Sequence, residues 1–124
     1  MVRILIVDAA PFMRKLIVAL VSDEGHQVVG EGEDGQQAVT LYFTTRPDVL
    51  LIDLMMPRKD GVQATREILG RDRNARVIVV SSSGAPAEVD WAARAAGPRA
   101  SLMKPIQPAD LRAALDTALA PRLA

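Results

Sequence analysis

The chain has 124 residues, 49% of them apolar, with 15 basic and 15 acidic side chains and a formal net charge of zero. That length suits a single domain spanning residues 1–124, and the apolar share suffices for a full core; the balanced charge argues against nucleic acid or an anionic membrane as an obligatory partner. No cysteine is present, which excludes disulfides and thiolate chemistry. No apolar stretch approaches the ~20 residues that span a bilayer, and Met1-Val2-Arg3 leads straight into a short strand without a signal-peptide pattern, so a cytoplasmic protein is expected.

Strand-length apolar runs alternate with helix-like segments along the chain. Ile4 to Val7 reads as the first strand. Pro11 to Ser22 reads as a helix: Pro11 suits its first position, Phe12, Leu16, Ala19 and Leu20 form its apolar face, and Gly25 ends it. His26 to Gly30 is a weaker strand. Asp34-Gly35 makes a turn, Gln36 to Thr45 a helix, and Pro47-Asp48 breaks it. Val49 to Ile52 is a third strand, apolar throughout, as expected for a strand buried on both faces. Val62 to Leu69 is a helix closed by Gly70. Arg76 to Val80 is a β-branched fourth strand, followed by the loop Ser81-Ser82-Ser83-Gly84. Pro86 to Ala96 is a helix ended by Gly97-Pro98. Ala100 to Met103 is the fifth strand and Pro108 to Ala120 the last helix. Five rounds of strand and helix argue a doubly wound α/β fold, a parallel sheet with helices on both faces.

Polar residues close three of these strands. Asp8 ends the first and Asp53 the third, while Lys104 follows the fifth. Ligand sites in open α/β sheets form at the carboxyl ends of the strands. Asp53 is the candidate nucleophile toward a phosphoryl group, because carboxylates form acyl-phosphate intermediates. Mg²⁺ held by carboxylates and a carbonyl, together with the Lys104 ammonium, suits neutralising phosphoryl oxygens. The Ser81 hydroxyl at the end of the fourth strand is placed to donate a hydrogen bond to them. Each residue also has a plainer reading. Asp53 suits a turn, Asp8 a helix cap, Lys104 a solvated loop, and Ser82 or Ser83 can take the place of Ser81 in a serine-rich loop. His26 has no clustered partner and reads as a surface or strand-start residue. Trp91, Tyr42, Phe12 and Phe43 read as packing residues.

Ile4-Leu5-Ile6-Val7-Asp8, then Asp53 with Met56-Pro57 and Asp60-Gly61, Val79-Val80-Ser81-Ser82 and Lys104-Pro105 together resemble the receiver domain of two-component response regulators. Each piece alone is weak, but all four occur in order across essentially the whole chain. The resemblance implies a flavodoxin-like, five-stranded parallel sheet of order 2-1-3-4-5, which makes the Asp8 and Asp53 strands neighbours. It implies that Asp53 accepts a phosphoryl group from a histidine kinase and that the protein catalyses only its own phosphorylation and dephosphorylation. It further implies Mg²⁺ held by Asp8, Asp53 and the backbone carbonyl of Met55, with Ser81 as the switch hydroxyl and Lys104 as the site lysine. A cis Lys104–Pro105 peptide and an influence of Met55 and Ser83 on phosphoryl lifetime are expected on the same ground. Pro11-Phe12-Met13-Arg14-Lys15 looks most like the stand-alone chemotaxis regulators, whose downstream protein target is the flagellar switch. The output face implied is the fourth helix, fifth strand and last helix, with Ala92, Ala95, Ala96, Arg99, Ser101 and Arg112 on or near it.

Two positions depart from the family pattern. Asp8 is followed by Ala9, where the family carries a second acid that binds the metal directly, so Mg²⁺ affinity is expected to be weakened. Ser101 stands where the family often has Tyr or Phe, whose ring moves inward during switching. These departures motivate a rival reading, a degenerate receiver acting as a constitutive interaction module. Another rival is the receiver fragment of a longer regulator with an output domain; the last helix running almost to the final residue argues against it. A true aspartyl-phosphate hydrolase is disfavoured because Met55, not an acid, lies two residues after Asp53.

Overall fold

The computed structural model describes residues 1–82 and 86–121. In chain order the elements are β1 (Arg3–Val7), α1 (Pro11–Asp23), β2 (Gln27–Gly32), α2 (Gly35–Thr45), β3 (Val49–Asp53), α3 (Gly61–Arg71), β4 (Val77–Ser81), α4 (Ala87–Ala96), β5 (Ala100–Met103) and α5 (Pro108–Leu119). The strands form one five-stranded sheet of order β2-β1-β3-β4-β5, parallel at every pairing. The doubly wound architecture expected from the alternation of elements is therefore the one observed. Because β1 and β3 are neighbours, with Val7 opposite Ile52, their C-terminal carboxylates emerge side by side.

The sheet is covered on both faces, so it has two cores. On one face Leu5, Val7, Leu50, Ile52, Val77 and Val79 pack against α2, α3 and Ala93 of α4. On the other, Ile4, Ile6, Leu51, Ile78, Val80 and Leu102 pack against α1 and α5. Strand residues alternate between the faces, and every residue of β3 is buried. That two-sided burial is why its sequence is uninterrupted apolar up to Asp53.

Several local expectations are corrected. The buried residues of α1 are Ile17 and Val21, with Met13, Val18 and Leu20 partly buried against the same core. Phe12 is 74% exposed and Leu16 50% exposed. The apolar stripe expected through Phe12, Leu16 and Ala19 is thus turned by about one residue, which is 100° on a helix. Both stripes are apolar, and only contact with the sheet chooses between them. Gly70 does not close α3, which runs on to Arg71 and is capped at Asp72. Trp91 is not a packing residue, being 72% exposed on α4. Tyr42 and Phe43 do pack, edge to face with ring centroids 5.0 Å apart, and Arg71 lies 3.9 Å above the Phe43 ring. His26 is at the strand entrance, accepting a hydrogen bond from the Val2 amide at its Nδ1. The Lys104–Pro105 peptide is cis. No helix among the described residues is long and apolar enough to cross a membrane.

The buried Tyr42 hydroxyl donates to Asp72 Oδ2 at 2.6 Å and so ties α2 to the end of α3. That bond is the largest influence holding the Asp72 carboxyl below its ordinary pKa, working against partial burial. Tyr42→Phe is expected to cost about 1.5–3 kcal/mol, the range for a hydrogen bond to a charged group. A depressed carboxylate pKa contributes stability above the unfolded-state value that is lost as pH falls through the folded one. The cost should therefore be full at neutral pH and disappear in acid, as read by urea unfolding of both proteins across that range. An equal cost at all pH values would assign it to packing instead.

Candidate functional site

The site is built at the C-terminal edge of the sheet, where β1, β3, β4 and β5 end together. Asp8 follows β1 directly and is 1% exposed; Asp53 is the last residue of β3 and is 8% exposed. Lys104 follows β5, and its amide donates to the Ser81 carbonyl at 2.8 Å, which extends the β4–β5 ladder by one residue. From there its Nζ reaches Asp8 Oδ2 at 2.8 Å and Asp53 Oδ2 at 3.3 Å. Three residues widely separated in the chain are thus assembled by parallel strand order alone.

Each carboxylate is also fixed by its own loop. Asp8 Oδ1 accepts from the Ala10 amide at 2.9 Å, and the Asp8 carbonyl accepts from Arg14 at 2.7 Å. Arg14 is itself held by Glu31 at 3.2 Å. Asp53 Oδ1 accepts from the Met55 amide at 3.3 Å. Beyond Asp53 the chain turns back at once: the Gly61 amide donates to the Leu54 carbonyl, and a side-chain carbon on Gly61 would stand 2.2 Å from the Asp53 carbonyl oxygen. Gly61 therefore has to be glycine for α3 to start against the end of β3. The loop between them is tied to the start of α2 by the Gly35 amide, which donates to the Lys59 carbonyl at 2.7 Å. Arg58 adds a 2.8 Å ion pair with the buried Asp34.

The electrostatics follow from this enclosure. Burial pushes the Asp53 carboxyl above its ordinary pKa; Lys104 opposes that rise and the neighbouring Asp8 charge adds to it. Burial acts against the Lys104 ammonium, but the approach of Asp8 and the charge of Asp53 outweigh it and hold the amine above its ordinary pKa. The lysine is therefore a permanent cation here. Asp8 Oδ2 is buried and has the ammonium, 2.8 Å away, as its one partner among the described residues.

That oxygen is the feature that best suits a cation such as Mg²⁺. The remaining donor set is thin: Asp53, the Met55 carbonyl, and at position 9 only a methyl group. Among the described residues no group of three or more His, Cys, Asp or Glu is placed to hold a metal. Mg²⁺ prefers octahedral oxygen ligands and gives up its waters reluctantly, and two carboxylates already engaged by an ammonium do not make a complete site for it. The chemistry the chain supplies by itself is a largely buried carboxylate with a fixed cation beside it.

The structure brings Asp8, Asp53 and Lys104 into contact and places Ser81, half-buried, at the adjoining strand end. Among the described residues no hydrogen bond engages the Ser81 hydroxyl. Met55 is exposed beside Asp53; Ser83 lies outside the described residues. The expected output face needs revision. Ala92 and Ala96 pack against the core, Arg112 pairs with Glu24 of the α1 C-terminus at 2.8 Å, and Arg99 donates to the Ala118 carbonyl. Of the residues expected there Ala95 and Ser101 are displayed, and Trp91 and Met103, not expected on this face, are displayed with them. Arg14 and the Asp34–Arg58 pair also escaped the sequence reading, since their partners become neighbours only once the strand order is known.

A carboxyl whose folded pKa is raised holds its proton in the folded state over a window where the unfolded chain has lost it, so stability falls as pH rises through that window. Asp53→Asn removes the ionisation while leaving Asp8 to pair with Lys104. The variant is expected to be more stable than the parent at neutral pH, with the difference closing as pH falls below the ordinary carboxylate range. Urea unfolding at about pH 7 and about pH 4 reads this directly. A parent that is the more stable of the two at neutral pH would mean that the Lys104 pairing outweighs burial of the charge.

Comparison with known proteins agrees with this geometry. The response regulator receiver domain family matches residues 4–116. The chain is 39% identical over 114 residues to the chemotaxis protein CheY of Thermotoga maritima, covering 92% of this chain and 94% of that protein. It is 36% identical over 117 residues to the transcriptional regulatory protein PdtaR of Mycobacterium tuberculosis, covering 94% of this chain but 56% of that one. Among solved structures it overlays with a TM-score of 0.85 on a two-component response regulator of the LuxR family from Aurantimonas, at 32% identity, over 95% of this chain and 84% of that one. The chain belongs to the response regulator receiver domain family.

Proposed function

We propose that residues 1–124 act as a single receiver unit that accepts a phosphoryl group on Asp53 from the phosphohistidine of a histidine kinase. The observation that carries this reading is the Lys104 ammonium seated between Asp8 and Asp53 at 2.8 and 3.3 Å. A carboxylate oxygen of Asp53 attacks phosphorus in line with the leaving imidazole. The P–O bond to Asp53 forms as the P–N bond breaks, and the bond's electron pair stays on the imidazole nitrogen, which is protonated as it leaves. Lys104 supplies a fixed positive charge to the phosphoryl oxygens without reorganisation at the moment of transfer. The Ser81 hydroxyl, with no internal partner to give up among the described residues, donates to one of them. Later attack by water on the acyl phosphate returns free Asp53 and inorganic phosphate, so the cycle is self-dephosphorylation and not turnover of a separate substrate.

Receiver domains use Mg²⁺ in phosphorylation. In this chain Asp8, Asp53 and the Met55 carbonyl are the groups available to it, and Ala9 withholds the acid that the family pattern supplies. The requirement for Mg²⁺ is accordingly loose, and Lys104 carries more of the charge compensation. Output is by protein contact through the α4–β5–α5 side, as in a chemotaxis-type regulator. Similarity to chemotaxis proteins along nearly their whole length supports that assignment. The similarity to PdtaR, in which the matching part is about half the protein, supports the second reading, a receiver unit within a longer regulator. Ala9 supports the third, an interaction module that works unphosphorylated.

Intact-mass spectrometry after incubation with a small phosphodonor separates these readings. A single phosphoryl adduct is expected, absent in Asp53→Asn. Ala9→Asp is expected to lower the Mg²⁺ concentration for half-maximal labelling by at least about tenfold, the scale of a restored metal-site group. No adduct in the parent at any Mg²⁺ concentration, with one in Ala9→Asp, would retire the phosphoacceptor reading in favour of the interaction module.

A further inference from the structure

Ser101 and Met103 alternate with Leu102 along β5. Leu102 enters the core shared with α1 and α5, so Ser101 and Met103 face the α4 side of the sheet. The parallel register sets Ser101 beside Val79 and Met103 beside Ser81, and Val79 belongs to the core on that same side. Between α4 and the sheet lies a cavity of about 230 Å³ whose lining includes Leu54, Val79, Ala93, Ser81, Ser101 and Met103, with part of Leu102. Asp90 and Arg94 line its α4 rim. Serine at 101 is too small to fill such a space. Meanwhile Met103, at its mouth, is 60% exposed.

An empty volume at a helix–sheet interface forfeits dispersion contacts, and an exposed thioether side chain forfeits burial. Entry of the Met103 side chain would relieve both, and methionine, unbranched with three rotatable bonds, is suited to filling irregular gaps. Ser81 lines the same cavity and is the register neighbour of Met103, so a turn of its side chain toward Asp53 would alter the space open to Met103. We propose that Met103 is the mobile side chain of this receiver: it enters the cavity when Ser81 turns to a phosphoryl group on Asp53, and so converts the charge at the site into a changed α4–β5 surface. This rests on Asp53 being the phosphoacceptor. It assigns to the neighbour of Ser81 the movement for which residue 101 has no side chain.

Because coupling is reciprocal, filling the cavity also favours the loaded site. Beryllofluoride with excess Mg²⁺ serves as the phosphoryl mimic, applied to the full chain and to Ala9→Asp, and bound ¹⁹F signals that vanish in Asp53→Asn report loading. With methionine methyls labelled with ¹³C, the Met103 resonance, assigned by its loss in Met103→Ala, is expected to move and to become protected from a soluble nitroxide on loading. Met103→Ala is expected to weaken beryllofluoride binding about fivefold, the low end of allosteric coupling, whereas Trp91→Ala, exposed but away from the cavity lining, leaves it unchanged. Loading with an unmoved, still solvent-broadened Met103 methyl overturns the proposal and leaves the Asp53 assignment standing. No Asp53-dependent ¹⁹F signal in either protein overturns both.

Discussion

Two buried carboxylates held within reach of one ammonium are the constraint on which this structure turns. Asp8 and Asp53 lie on adjacent strands, and a charge removed from water is costly unless it is paired. Lys104 offsets part of that cost for both, and at Asp53 burial still outweighs it; it reaches them because its backbone is hydrogen-bonded to the end of β4. Lysine suits the position better than arginine would. A compact ammonium on a flexible stem can divide its attraction between two acceptors at different distances, where a planar guanidinium favours one bidentate partner. The strand order is therefore tied to the chemistry. If β1 and β3 were not neighbours, the two acids would not share a cation, and Asp53 would be an ordinary strand-end carboxylate.

The surroundings of that triad differ sharply on its two sides. Toward α2 and α3 the loop after Asp53 is held by the Gly35–Lys59 backbone bond, the Asp34–Arg58 ion pair and the Asp60–Gln63 capping box. Lys59 is further paired with Glu67. The glycines at 35 and 61 allow backbone approaches that any side chain would block. Toward α4 and β5 the hydroxyl of Ser81 is unengaged among the described residues, a cavity stands open, and Trp91 and Met103 are displayed to solvent. A change of charge at Asp53 will be expressed where the structure can yield. Interiors are close-packed and resist small deformations, so on the proposed reading the tied side would serve as the frame and the open side as the moving part.

How much of this was legible in the residues depends on the range of the information. Four of the strands were readable because each is a short apolar run, and the helices because each is bounded by Pro, Gly or Asp; β2, with Gly30, Glu31 and Gly32 in it, was read two residues short at its end. Asp8, Asp53 and Lys104 stood out because each interrupts or follows such a run. Their contact was expected from the resemblance to receiver domains, not from spacing. The orientation of α1 was misjudged because both candidate stripes are apolar, and burial of Ile17 and Val21 over Phe12 and Leu16 is settled only by the sheet beneath. Gly70 looked like a helix stop, yet one glycine costs only about 1 kcal/mol in a helix, and Leu69 partly buried against the core and the bond from Tyr42 to Asp72 hold the last turn. Trp91 was expected to pack because it is an aromatic residue at a helix position, yet it is exposed. Arg14, Arg58 and Met103 carry no local signature at all; their roles come from neighbours brought close by topology.

The substitution at position 9 can be judged by the same charge accounting. Asp8, Asp53 and Lys104 sum formally to −1, two carboxylates against one ammonium; a further acid at 9 would make the cluster −2. An incoming phosphoryl group brings its own negative oxygens, so a doubly negative cluster has strong need of a divalent cation, while a singly negative one has less. Loss of the acid thus removes a ligand for Mg²⁺ and part of the reason for binding it. The upward shift of Asp53 acts in the same direction, since a proton on that carboxyl lowers the cluster's charge further at mildly acidic pH. Protonation also removes the nucleophile. On the reading proposed above, the site would lean on Lys104 where an acid-rich site leans on metal, and its capacity to accept a phosphoryl group would rise with pH as Asp53 ionises beside the charged lysine.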